Sequence, residues 1–163
     1  MSYKPLTIKT LNIAGKKEAF KAMRLPIDGN PFNPDEVLVA DLIRRGDSHA
    51  KCVRGVIVWA EMSFQAGWMI ELDTYRHGRE VLSTSSSMHN ELKHLGGADL
   101  ASKKQRDLVN KYYTQICTFS YQALRRIWIE RRKHRHPDWQ IFCDWVETLP
   151  DFGTLIIPEK GGK

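Results

Sequence analysis

The chain has 163 residues and 25 Lys and Arg against 19 Asp and Glu, a formal charge of +6. A hydrophobic share of 42% with five Trp, five Tyr and six Phe excludes a disordered tail or a collagen-like fibre, and the length predicts one domain over residues 1–163 with a real core. No stretch approaches the roughly 20 apolar residues of a membrane span, and Met1-Ser2-Tyr3-Lys4-Pro5 lacks the apolar segment of a secretory signal.

Leu6 to Ile13 alternates weakly and predicts a strand. Lys16 to Met23 predicts a short helix that Pro26 stops, followed by a loop to Pro34 on Pro, Gly and Asn chemistry. Pro34-Asp35-Glu36 opens a second helix, with acids at the positive end of its dipole, that ends near Gly46. Val53 to Met62, rich in Val, Ile and Trp, predicts a strand. Ala66 to Tyr75 predicts a helix, and the serine-rich Arg79 to Ser87 a loop. From Arg106 to Arg132 the apolar residues Leu108, Tyr112, Ile116, Leu124 and Ile127 keep helical spacing, as one helix or as two broken near Thr118. Pro137 to Val146 predicts a last helix and Thr154 to Ile157 a last strand. The fold class is α+β (mixed α/β), with helices packed on a mixed β-sheet.

Three cysteines, Cys52, Cys117 and Cys143, form no CxxC and no Cys/His spacing. Neither a disulfide framework nor a metal site is expected, and a reducing cytoplasm is the expected compartment. Cys117 and Cys143 sit among apolar neighbours, as small core residues do. The dinucleotide, P-loop, zinc-protease and serine-hydrolase motifs are all absent. The excess positive charge points to an anionic partner.

Glu71 to Glu91 holds the chemistry. Arg76, His77 and Arg79 surround Gly78, and Ser83, Ser85, Ser86, Ser87 and His89 follow. Guanidinium matches phosphate oxygens two at a time, glycine admits a ligand close to the backbone, and hydroxyls add short donors. Convergence of these groups on one cavity is expected, against the plainer reading of a solvated loop. His49, in Arg45-Gly46-Asp47-Ser48-His49, is a second candidate, set against an ordinary helix-end histidine. The basic run Arg125 to His136 reads as a solvated helix face or, less simply, a nucleic-acid patch.

At these residues the chain resembles the flavin-dependent thymidylate synthases. That family carries Arg-His-Arg, seven residues, then Ser; here Arg76-His77-Gly78 precedes seven residues and Ser86. Its Gly-His or Glu-His element, closing a helix before a Phe-rich strand, is similar to Gly46-Asp47-Ser48-His49 before Val53 to Val58. Its C-terminal helix is similar to Leu124, Ile127 and Arg131 followed by Trp139-Gln140-Ile141. Family arginines are replaced by Gly78, Met88 and Gln122. Asp73, Thr74, Tyr75, Gly78, Ser85, Ser87, Met88 and His89 also resemble a pattern in phage-encoded proteins, which implies a divergent, phage-encoded branch whose compartment is the bacterial host cytoplasm.

The resemblance implies FAD held between subunits of a homotetramer. It implies conversion of dUMP to dTMP with methylenetetrahydrofolate as carbon donor and NADPH as reductant. By the match, Arg76, His77, Arg79 and His49 contact flavin. Ser86 and Arg131 act at the nucleotide as catalytic residues, with Ser83, Ser85, Ser87 and His89 binding substrate. Two alternatives stand beside it: a nucleotide-binding relative without redox chemistry, as a sensor or sequestering protein, and a basic nucleic-acid-binding module.

Overall fold

In a computed structural model, residues 3–27, 35–86 and 92–158 are described, with backbone alone for 104–110. The elements run β1 (Thr7–Ala14), α1 (Lys16–Arg24), α2 (Asp35–Arg44), β2 (Ile57–Gln65), α3 (Ala66–Leu72), β3 (Arg79–Thr84), α4 (Gly97–Asn110), β4 (Tyr112–Ser120), α5 (Tyr121–Arg131) and α6 (Pro137–Glu147). The expected helices-on-sheet architecture is present, with four strands in the order β1-β2-β4-β3 and every ladder antiparallel.

The pleat sorts the two central strands. Val58, Ala60, Met62 and Phe64 of β2 are fully buried, while Ile57, Trp59 and Ser63 on the opposite face are half-buried. The register sets Val58 against Phe119 and Ala60 against Cys117, so both strands give the same face to the core. Helices α5 and α6 close that core with Leu124, Ile127, Trp139, Phe142 and Val146. Trp139 meets Trp68 at 4.9 Å and Phe142 meets Trp145 at 5.3 Å between ring centroids, tilted as aromatic quadrupoles prefer. Each such ring contributes about 1.5–3 kcal/mol by burial.

Three segments differ from the sequence reading. Residues 79–84 form the edge strand β3 rather than a loop, because the ladder to β4 holds a segment whose side chains, Arg79 apart, are exposed. The 106–132 stretch is not continuously helical: α4 ends at Asn110, β4 follows, and the Ser120 hydroxyl accepts the Ala123 N–H at 3.2 Å to cap α5. Spacing of four along Leu108, Tyr112 and Ile116 keeps parity, so it serves a strand as well as a helix. Residues 152–156 form a π-helical turn, not a strand. Asp151, at φ 59°, starts it, Lys16 holds the Asp151 carboxylate at 2.9 Å, and Leu155 and Ile156 bury inward. The strand expected from Val53 starts at Ile57, after a 3-10 turn over Lys51–Gly55. Most of the loop expected to Pro34 lies outside the described residues.

All three cysteines are free, with Cys117 and Cys143 fully buried as expected. Burial pushes the Cys143 thiol from 9.0 up to about 11 and the Tyr121 hydroxyl from 10.0 up to about 12. An acid whose folded value is raised stabilises the fold below its unfolded value and stops doing so as pH climbs through the folded one. Stability is therefore expected to fall from about pH 9 toward pH 12. Iodoacetamide at pH 8 is expected to label Cys52 first, and Cys117 and Cys143 only on unfolding; peptide mass spectrometry of the native protein checks this, and early Cys143 labelling would contradict it.

Candidate functional site

The sheet face turned away from the core carries Ile57 and Trp59 of β2, Thr118 of β4 and Glu80 of β3. At the end of this face where α5 begins lies a cleft of about 480 Å3. Ile57 and Thr118 floor it, His77, Gly78 and Glu80 form one wall, and Gln122 and Arg126 of α5 form the other. Arg54 and Asp47 reach in from the segment before β2.

Backbone chemistry brings the 77–80 segment against α5. Gly78 has φ +79°, and its carbonyl accepts the Ser120 N–H at 2.7 Å. A Cβ at position 78 would lie 2.5 Å from the Ser120 hydroxyl and 3.1 Å from the Ala123 methyl. Glycine is thus the residue this turn needs. By the sequence resemblance, it stands where the thymidylate synthase motif has its third arginine.

Arg79 does not replace that arginine in open solvent. Its guanidinium is 4% exposed, with Nη1 2.8 Å from the Asp73 carboxylate and Nη2 3.0 Å from Gln115 Oε1. Its Nε is buried without a partner among the described residues. The exposed Arg76 donates from Nε to the Asp73 carbonyl at 3.4 Å. Arg76 and Arg79 line a second, shallower cleft that shares Glu80 with the first.

The other expected residues lie elsewhere in the single chain. His49 lines a separate apolar cleft of about 500 Å3 with Met23, Leu38 and Leu42, while Asp47 of the same turn faces the polar one. Arg131 ties helices together: its Nε donates to the Tyr75 hydroxyl at 2.7 Å and its guanidinium stacks 4.9 Å from the Trp139 ring centroid. Tyr75 in turn donates to Glu130 Oε2 at 2.7 Å. Ser83 is exposed on β3, and Ser85 extends the ladder by donating its N–H to the Thr114 carbonyl at 2.8 Å. Ser86 is exposed just beyond the strand. Ser87 and His89, like Met88, lie outside the described residues. The expected convergence on one cavity is therefore partial: within one chain His77 faces the polar cleft, Arg76 and Arg79 its neighbour, and Ser83, Ser85 and Ser86 neither.

Sequence reasoning missed Arg54, Asp47, Thr118 and Ser120 as cleft residues. Arg54-Gly55 before a strand is a faint signal, and Arg126 was visible only as part of a basic run. Among the described residues no group of three or more His, Cys, Asp or Glu could hold a metal ion, and no helix is long and apolar enough to cross a membrane.

No protein-family model and no curated protein matches the chain. Solved structures do. Thymidylate synthase X from Helicobacter pylori, solved with FAD and dUMP, superposes with TM-score 0.69 at 13% identity, over 94% of this chain and 100% of that one. The fold is that of the flavin-dependent thymidylate synthases. The UMP/dUMP methylase PolB from Streptomyces cacaoi, bound with 5-Br UMP, shares it with TM-score 0.64 at 11% identity, over 96% of this chain and 98% of that one. The same methylase bound with 5-Br dUMP gives TM-score 0.65 at 14% identity, over 94% and 92%. The thymidylate synthase fold thus spans nearly the whole chain at 11–14% sequence identity.

Proposed function

We propose that the protein is a flavin-dependent thymidylate synthase-like enzyme that binds FAD and a pyrimidine deoxynucleotide, with methylation of dUMP or a related one-carbon transfer as its reaction. One observation carries this reading. On a fold shared with enzymes solved with FAD and dUMP, a polar cleft holds an imidazole, two guanidinia, two carboxylates, an amide and hydroxyls at the head of a capped helix. Its volume is that of a ligand pocket, and its donors suit phosphate and a polar heterocycle.

The residues present fit a flavin nucleotide by the same test: exposed His77, and the Arg76 cleft adjoining across Glu80. When bound, flavin would supply the hydride chemistry, with NADPH and methylenetetrahydrofolate as co-substrates. His77 and Arg76 would hold it, and Arg79 would set the position of the segment between them from inside. The main work of these residues is orientation and electrostatics; no protein nucleophile is required.

Ser83, Ser85 and Ser86 lie on or beyond an exposed sheet edge, which fits a site completed by a neighbouring copy in a homo-oligomer, with a tetramer favoured. In that assembly the serines, Ser87, His89 and Arg131 would meet nucleotide bound by another copy. We place the enzyme in the cytoplasm, of a bacterial host if phage-encoded.

Incubation with FAD followed by gel filtration and a visible spectrum tests this reading. Retained flavin is expected, and a colourless protein would defeat it. Arg76→Ala is expected to lose flavin retention with an unchanged melting temperature, since the side chain is exposed; a variant that keeps flavin would remove Arg76 from the site. A second reading, a non-redox nucleotide-binding relative, is favoured by Gly78 and Gln122 at family arginine positions and by the inward-turned Arg79. It predicts stabilisation by dUMP without flavin retention, about 2.7 kcal/mol at 100 times the dissociation constant.

A further inference from the structure

Position 122, where the family resemblance places an arginine, carries an amide that holds a guanidinium from elsewhere. Arg54 Nε donates to Gln122 Oε1 at 2.5 Å. The other end of the amide is fixed too: Gln122 Nε2 donates to the Asp47 carbonyl at 3.0 Å, and the Asp47 carboxylate faces Arg125 Nη1 at 3.3 Å. These bonds set which way the amide points, with its oxygen toward Arg54. One turn further along the same α5 wall, Arg126 Nη2 donates to the His77 carbonyl of the opposite wall at 3.1 Å. Each arginine is thus steered by a neutral acceptor. Among the described residues neither is paired with a carboxylate.

We infer that Arg54 and Arg126 together clamp a phosphate group in the polar cleft, and that Gln122 is the positioning residue that aims Arg54. The clamp rests on the proposed function only in taking the phosphate to be a nucleotide's. The chemistry itself needs no more than an anion with several oxygens between two forked cations. It also gives the change at position 122 a physical meaning. An arginine there would repel Arg54, a glutamate would neutralise it, and glutamine orients it at no cost in charge. Two ligands carry such a phosphate, the mononucleotide and the flavin dinucleotide, and the experiment separates them.

Titration calorimetry or fluorescence would compare dUMP with deoxyuridine, FAD with riboflavin, and inorganic pyrophosphate as a bare anion. These would be run on wild type, Arg54→Ala, Gln122→Met and the double variant. Arg54→Ala is expected to weaken phosphate-bearing ligands by about tenfold to a hundredfold, and to leave the phosphate-free counterpart unchanged. Whichever pair shows the difference identifies the ligand whose phosphate is clamped. Gln122→Met is expected to cost less, about threefold to tenfold, and to cost nothing further once Arg54 is gone, because it acts through that side chain. Equal losses for phosphate-bearing and phosphate-free ligands would overturn the clamp, and additive effects in the double variant would overturn the role of Gln122.

The two readings fail separately. Wild type that binds dUMP or FAD with Arg54→Ala unaffected would sink the clamp and leave the function standing. Wild type that binds no nucleotide but is stabilised against heat by pyrophosphate, with the effect lost in Arg54→Ala, would keep the clamp and sink the function. Absence of any pyrophosphate effect together with absence of nucleotide binding would sink both.

Discussion

Gly78→Arg, which supplies the third arginine that the thymidylate synthase resemblance implies, is expected to destabilise the protein by about 2–4 kcal/mol. The left-handed backbone at φ +79° costs a residue with a side chain about 1–2 kcal/mol. The new Cβ, 2.5 Å from the Ser120 hydroxyl, drives that hydroxyl away from the Ala123 N–H that it caps. Loss of an N-cap costs about 1 kcal/mol more, and the Ala123 methyl at 3.1 Å adds crowding. The urea midpoint of Gly78→Arg against wild type measures this. The clash has its own signature: Gly78→Ala combined with Ser120→Ala should cost less than the sum of the two, because the second change removes the oxygen that the first strikes. A midpoint that does not move would mean that the turn tolerates the family residue.

Removal of the Asp73 carboxylate is expected to cost about 2–3 kcal/mol, more than removal of its partner Arg79. The guanidinium is 4% exposed and the carboxylate 48%. In Asp73→Ala a buried cation keeps Gln115 as its only side-chain oxygen acceptor among the described residues, and a buried unpaired charge is expensive. In Arg79→Met the carboxylate returns to water, the apolar chain fills the space, and the unpartnered Nε disappears, so about 1 kcal/mol is lost. Thermal or urea unfolding of both variants gives the order. Equal losses, or the reverse order, would contradict an inward, structural role for Arg79.

These two residues show where the sequence was legible and where it was not. The layers and most helices followed from local patterns: acids and proline opened α2, apolar spacing marked α5 and α6, and Val, Ile and Trp marked β2. Strand β3 was hidden because an edge strand with one buried residue carries no alternation to read. Strand β4 was hidden because residues four apart share a face in strand and helix alike. The motif 76–78 was visible as chemistry, but only the backbone shows why its third residue is glycine and why Arg79 turns inward. Arg54 could not be read as a cleft residue, since its partner Gln122 lies 68 positions away and the two meet only after β2 and β4 pair.

The central claim is that nucleotide is held in the cleft between the 77–80 segment and the start of α5. Hydrogen–deuterium exchange with and without FAD and dUMP tests it most directly. The account predicts slowed exchange at residues 77–80 and 118–126 on ligand addition, with the apolar cleft around Met23, Leu38 and His49 unaffected. Protection confined to that apolar cleft, or none at 77–80 and 118–126 despite measurable binding, would contradict it.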